Sequence, residues 1–302
     1  MKPEISICIP AYKQAEKLQK LLESIQVQTF QPKEIIISDD SDDNSVEELL
    51  KKFELPIKYF RNSPALGSPG NWNFAVTQAG CEWVKLMHHD DYFTHDRALQ
   101  MFVNELEINP GGDYYFCGTT IQQAGDGSSH VYKVDTRLIN KLDKIPAFLL
   151  HKNLIGAPST GFFRREIKIN YNRKLIWLVD IEFYLRLLHN YKVRYLPDPA
   201  ITTVMFEGQL TTRLKDNKEV ELSEFIYCYL KHSGTMNSLN LRIARSRMLD
   251  LFRIFNVKSA AELRFDLNNK RVPEFAKWFL RVAGINRRMA FSIFYRMNAF
   301  KI

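Results

Sequence analysis

Two adjacent carboxylates, Asp90 and Asp91, close the short run Trp83-Val84-Lys85-Leu86-Met87-His88-His89. A run of that apolar character reads as a buried strand, so the acids fall where a strand gives way to a loop. In an open α/β sheet that edge is where ligands bind. Side by side, the two charges repel unless a cation sits between or in front of them; a hard divalent ion with oxygen ligands would do this, and could in turn hold a diphosphate. The same pair would serve equally as solvated turn residues capping a helix that starts near Thr94. Asp39-Asp40 and Asp180 occupy comparable places, the first pair after the apolar run Glu34 to Ser38 and the single acid in the first turn of a helical stretch, Trp177 to Leu188.

The elements that must position these acids alternate. Ile5 to Pro10 is a strand, Gln14 to Gln28 carries Leu18, Leu21, Leu22 and Ile25 at helical spacing, and Glu34 to Ser38 is a second strand. A helix from Val46 to Phe53 and a strand from Ile57 to Phe60 complete a β-α-β-α-β order, which implies a parallel sheet with right-handed crossovers. No Gly-x-Gly-x-x-Gly follows the first strand and no Walker-type lysine loop occurs, so neither common glycine-rich cradle holds a phosphate. Leu66 to Asn73 reads as a turn feeding a helix from Asn73 to Ala79, Leu99 to Glu107 as a helix, and Tyr114 to Gly118 as a strand. Gly125 to Ser129 reads as a hairpin turn between Thr119–Gln123 and His130–Val134. Ile155 to Gly161 is a loop of small residues; no element is read between Leu188 and Leu222, and everything beyond is helical.

The 302 residues suffice for one large domain or one of about two hundred residues with an appendage. No apolar run approaches a membrane span and the start of the chain is not a signal peptide, so the expected location is the cytoplasm. Cys8, Cys81, Cys117 and Cys228 share no metal-type spacing and are expected as reduced core thiols. The formal charge of +8 is uneven. From Leu222 onward fifteen Lys and Arg face five Asp and Glu, a net +10 that leaves the first 221 residues at −2. A basic tail asks for an acidic partner.

Five segments in order resemble glycosyltransferase family 2: Ser6 to Tyr12, Gln28 to Ser41, the Asp90-Asp91 strand end, Gly156 to Arg165, and Asp180-x-Glu182-x-x-Leu185-Arg186-Leu187. The resemblance covers roughly residues 3 to 215. It implies an α/β fold of the GT-A kind, a Rossmann-like domain over 1–221 with a nucleotide-binding half (1–95) and an acceptor-binding half (96–221), followed by a basic helical extension over 222–302. By the same resemblance Pro10, Ala11 and Tyr12 line the pocket for the nucleotide base, and Asp39 or Asp40 bonds the uracil or ribose. A carboxylate accepts well from an imide N–H and from ribose hydroxyls, and an aromatic offers a stacking face. Gly67, Asn71 and Asn73 fall in the turn where relatives often place an arginine near the diphosphate. With Trp72 there instead, Lys85, Arg164, Arg165 or Arg213 would supply the charge.

Asp91, with Asp90 nearer the ribose or a metal-bound water, corresponds to the family's metal motif for Mn²⁺ or Mg²⁺. His88 stands where a further Asp is commonest and is either an added ligand or a packing histidine; His89 has no assigned role. Asp180 corresponds to the base that takes the proton of an acceptor hydroxyl in a transfer with inversion. Glu182 and Arg186, at i and i+4, are read as a helix-surface ion pair. Phe206 replaces the histidine that many relatives carry ahead of Gly208 to Thr211.

The activity implied is transfer of a sugar from a nucleotide-diphospho-sugar, a UDP-sugar first, to a glycan or lipid-linked acceptor in surface polysaccharide synthesis. A sugar-nucleotide nucleotidyltransferase and a non-catalytic sugar-nucleotide or glycan-binding protein are the alternatives. The former would show a glycine-rich basic loop after the first strand, and Ile9 to Lys17 has no glycine. Aromatics interleaved with arginines in the tail suit peripheral contact with the inner face of the plasma membrane or pairing with a second copy. No nucleic-acid module is present.

Overall fold

The computed structural model describes residues 2–214, 216–263 and 272–298. Three strands and two helices come first: β1 (Ile5–Ala11), α1 (Ala15–Gln26), β2 (Glu34–Asp39), α2 (Ser45–Leu50) and β3 (Ile57–Arg61). They are followed by α3 (Ser68–Thr77), β4 (Trp83–Leu86), β5 (Tyr92–Phe93), α4 (Ala98–Ile108), β6 (Tyr114–Gln123), β7 (Ser129–Tyr132) and α5 (Thr136–Leu142). Then come β8 (Gly161–Arg164), α6 (Val179–Asn190), β9 (Val193–Met205) and α7 (Leu210–Leu214). Helices α8 (Lys218–His232), α9 (Ser238–Ile254), α10 (Glu274–Ile285) and α11 (Arg287–Asn298) close the described chain.

The sheet runs in the order β3-β2-β1-β4-β8-β6-β9-β5, with β7 paired to the later half of β6, beyond its pairing with β8. The first four of these are parallel, as the β-α-β-α-β reading requires, and β8 then enters antiparallel to both β4 and β6. Strand β1 is buried on both faces, which explains its unbroken apolar run. Ile5, Ile7 and Ile9 pack with Leu18, Leu21 and Leu22 of α1 and with α4, while Cys8 belongs to the core on the other side.

Two expectations need correction. The turn read at Leu66 to Asn73 is already helix from Ser68, because Gly67 takes the left-handed φ of 75° and Pro69 sits in the first turn. The stretch after Leu188, read as featureless, contains the thirteen-residue β9. Pro197 and Pro199 obscure it, since proline cannot donate to a ladder. The strand accommodates them through a register shift against Cys117–Thr119, where a Cβ on Gly118 would lie 2.5 Å from the Pro197 carbonyl.

Among the described residues, those beyond 222 do not form a core of their own. Phe225, Ile226, Met248, Phe252, Phe279 and Phe294 belong to the same apolar cluster as Phe183 and Leu187 of α6 and Val84 of β4. The 221/222 boundary lies within α8.

Candidate active site

Two of the three acidic sites, Asp39-Asp40 and Asp90-Asp91, follow the carboxyl ends of β2 and β4, and the third, Asp180, opens helix α6. Tyr12 follows β1 and is 51% exposed, open to a flat ligand, while Pro10 and Ala11 are the buried end of that strand. Asp39 ends β2 and Asp40 follows it; both are buried. Asp39 accepts at Oδ1 from the Ser41 backbone and hydroxyl and at Oδ2 from the Tyr59 hydroxyl at 2.9 Å. Asp40 accepts from Asn62 and from the backbone N–H of Leu66 and Gly67 at 3.1 and 2.9 Å. Both Asp40 oxygens thus hold the turn that enters α3; each of the two carboxylates takes two bonds at Oδ1 and one at Oδ2, so both keep acceptor capacity at Oδ2.

Asn71 and Asn73, expected near the diphosphate, are fixed by the chain. Asn71 donates to the Ala11 carbonyl at 3.1 Å and accepts from Asn62, and Asn73 clasps the Tyr171 backbone at both N–H and C=O, at 2.7 and 2.8 Å. Trp72 lies against the His88 ring, centroids 4.5 Å apart, and against Tyr171. All three side chains are thus held by contacts within the chain.

The central cluster is His88, Asp90 and Asp91, whose ligand atoms lie within 4.8 Å of one another. Asp91 is fully enclosed and hydrogen-bonded by Ser159 and by the Val204 backbone; burial and the neighbouring Asp90 push its carboxyl well above the ordinary range. Asp90 accepts from Gln209 at 3.0 Å, and Gln209 in turn donates to the Val204 carbonyl. The imidazole of His88 is held neutral by burial, its pKa down to about 4, and its Nε2 is buried with no hydrogen-bond partner among the described residues. A buried, unpartnered nitrogen facing two crowded carboxylates suits a divalent cation with mixed nitrogen and oxygen ligands. His89 points elsewhere, its Nδ1 3.2 Å from the Pro10 carbonyl.

Asp180 lies in the first turn of α6. Its Oδ2 accepts from Asn153 at 2.8 Å, its Oδ1 from the Ile181 N–H, and burial raises its carboxyl to about 6. One segment connects it to the acidic pair. Asn153 also fixes Gly156, accepting from its N–H and donating to its carbonyl, and a few residues on Ser159 receives the His88 N–H at 2.9 Å and bonds Asp91. Lys85 anchors this segment from beneath: entirely buried, it donates to the Ser159 and Gly161 carbonyls, and burial lowers its pKa to about 8.

Of the cations expected to face a diphosphate, Lys85 is thereby committed to the backbone. Arg164 pairs with Glu82, and Arg165 donates to the Ala79 carbonyl; both contacts lie at the start of β4, remote from its acidic end. Arg213 remains exposed on α7 beside Gln209. Lys17 of α1, not anticipated, lies over the Phe206 ring and within electrostatic reach of Asp90.

Glu182 is not on the surface. It is fully buried, and Arg186, Lys231 and His232 converge on it at 2.6 to 3.1 Å, holding its carboxyl down at about 2. Because that value lies below the ordinary 4.5, the stabilisation is complete above about pH 4.5 and is lost as pH falls toward 2. Glu182→Ala strands the Arg186 and Lys231 charges and leaves His232 without its carboxylate partner, and is expected to lower stability near neutral pH by about 3 kcal/mol in urea unfolding.

Asn153, Ser159 and Gln209 escaped the sequence reading, although Ser159 and Gln209 lie in segments it singled out. Amides and hydroxyls that bridge loops carry no periodic signal, and only the chain's path makes them neighbours.

Comparison with known proteins establishes the fold and the family. An uncharacterized protein of Mycobacterium tuberculosis is 27% identical over 65% of the chain, and a Campylobacter jejuni GalNAc(5)-diNAcBac-PP-undecaprenol beta-1,3-glucosyltransferase is 33% identical over 43%. The chain spans 65% and 37% of those two relatives' own lengths. Among solved structures, Staphylococcus aureus TarS 1–349 in complex with UDP-GlcNAc superimposes with a TM-score of 0.66 at 17% identity, covering 99% of this chain and 93% of that one. The fold is therefore GT-A with a helical extension. The family model described as Glycosyl transferase family 2 matches residues 6–171, more than half of the chain and every element from β1 to β8. With both the sequence pattern and the fold in agreement, this chain belongs to glycosyltransferase family 2.

Proposed function

We propose that the enzyme moves a sugar from a nucleotide-diphospho-sugar, a UDP-sugar, to a hydroxyl of a glycan or lipid-linked glycan, with inversion, in surface polysaccharide synthesis. The observation that carries this reading is the segment from Asn153 to Gly161, which touches Asp180 at one end and His88 and Asp91 at the other. Nucleotide-side and acceptor-side chemistry thus share one frame. Tyr12 offers the stacking face for the base and Asp39 or Asp40 the acceptor for its imide or ribose. His88, Asp90 and Asp91 would hold Mn²⁺ or Mg²⁺, which when bound neutralises charge on the leaving diphosphate. Asp180, with its pKa near 6, is ionised at neutral pH and still basic enough to take the proton of an attacking alcohol. Release of UDP from a panel of UDP-sugars, with Mn²⁺ and with EDTA, tests the reading, and the anomeric configuration of the product tests inversion. Absence of turnover with every donor, despite tight UDP binding, would favour a binding protein instead.

The extension supplies the acceptor side of this proposal. Among the described residues no helix is long and apolar enough to cross a membrane. Yet Trp278, Ile285, Met289, Ile293 and Met297 are all exposed, the last three in a stripe four residues apart along α11. Arg288 and Arg296 form the adjacent stripe, Arg281 joins them from α10, and none of the three makes an ion pair among the described residues. A face that is apolar and cationic together matches an anionic bilayer, where a lipid-linked acceptor would be met. Sedimentation with anionic vesicles but not with zwitterionic ones is expected, and Arg281→Glu, Arg288→Glu and Arg296→Glu combined should abolish it. Concentration-dependent dimerisation without vesicle binding would assign the face to a second copy.

A further inference from the structure

Helix α6 begins without a cap of its own. Its N-cap residue is Leu178, whose side chain cannot accept a hydrogen bond. The backbone donors at this entry are met by a residue nearly fifty positions away. Glu224 of α8, 3% exposed, accepts from the N–H groups of Ile176, Trp177 and Leu178 at 2.6, 2.9 and 2.7 Å. Three charge-assisted bonds to consecutive amides fix the path of the chain two residues before Asp180. A turn further along α6, Glu182 is tied to Lys231 and His232 of the same α8. Two buried carboxylates, one on each helix, thus lock α6 and α8 together on either side of Asp180.

We infer that Glu224 is a positioning residue for the chemical step: by gripping the entry of α6 it sets where the Asp180 carboxylate stands relative to the donor site. The inference rests on Asp180 being the base. A loop entry held only by apolar packing could shift by an ångström, and misplacement on that scale can cost about 100-fold in rate. The clamp also acts electrically. Burial raises the Glu224 carboxyl, the three N–H donors offset this in part, and the Glu224 charge is one of the influences that raise Asp180. The other groups around Asp180 are Asn153 from the connecting segment, Tyr114 of β6, Tyr171 and Tyr184. None of these tyrosines ionises near pH 6, because burial raises all three further above the ordinary tyrosine range.

The test is Glu224→Gln in the full chain. It keeps the side chain's shape, removes the charge and turns an NH₂ toward backbone donors. The expected result is a fall in kcat of about 10- to 100-fold with the donor KM within about twofold, and an acid limb of the kcat profile displaced to lower pH. Loss of folded protein alone would lower the amplitude of that profile without moving it. Wild-type kcat with an unmoved acid limb overturns the inference. Should Glu224→Gln not fold, hydrogen exchange on the native enzyme decides. The amides of Ile176, Trp177 and Leu178 are expected to be protected as a block, and exchange as fast as an open loop beside a protected α8 would sink the clamp. Asp180→Asn separates the two readings: full turnover in that variant removes the base assignment, whereas an inactive Asp180→Asn beside a fully active Glu224→Gln removes the clamp alone.

Discussion

Asp180→Asn is expected to lower kcat by about 10³-fold while leaving affinity for donor and for Mn²⁺ within about twofold, because a general base acts only as the acceptor oxygen attacks. The substitution keeps the bond from Asn153 available and changes the carboxylate into a group that cannot take the proton. A second effect has the opposite sign. The Asp180 carboxyl rises from an ordinary 3.8 to about 6 on folding, chiefly through burial. A folded value above the unfolded one means that the protonated form is the one the fold favours. That stabilisation is present below about 4 and is lost as pH rises through about 6. Above that, the ionised side chain costs up to about 3 kcal/mol, less what its partial exposure to solvent screens. The inactive variant should therefore melt at a higher temperature than wild type at about pH 8 and at the same temperature at about pH 4. An equal shift at both pH values would show that burial of the charge is not the cause.

Loss of the other key carboxylate should look different. Asp91→Ala is expected to remove stabilisation by Mn²⁺ with UDP in thermal melts, to raise the donor KM and to lower kcat by about 10³-fold, since several kcal/mol of charge stabilisation depart with the ion. His88→Ala should be milder, roughly 10- to 100-fold in metal affinity. EDTA on the wild-type enzyme should reproduce the Asp91→Ala phenotype, with Mn²⁺ restoring the wild type only. Undiminished turnover in EDTA together with an active Asp91→Ala would eliminate the metal site. Asp180→Asn is expected to bind without turning over and Asp91→Ala to do neither; measured side by side, the two variants would separate base from ligand.

The legible part of this molecule was the part built on regular periods. Alternating strands and helices up to Phe60, the buried run before Asp90 and the helix bearing Asp180 follow from apolar spacing that the core enforces. Two classes of feature escaped. Strand β9 hid behind Pro197 and Pro199, whose local preferences the sheet overrides through a bulge at Gly118. Polar residues with long-range partners also hid, and Glu182 shows why. Its i, i+4 arginine is a sufficient local explanation, yet Lys231 and His232, half a hundred residues on, turn a surface pair into a buried one. Glu224 lies among Leu222, Phe225 and Ile226, and a lone carboxylate in such company was the available hint.

The matched family region stops at residue 171, before Asp180, and the helices from Lys218 onward share the interior of the sheet domain. Anyone trimming the chain at either apparent border would expose a greasy surface and discard Asp180 or its support. For engineering, the portable unit runs through the last described helix. A chimera that exchanges α6 must exchange α8 with it, so that Glu182 and Glu224 each keep the groups they pair with.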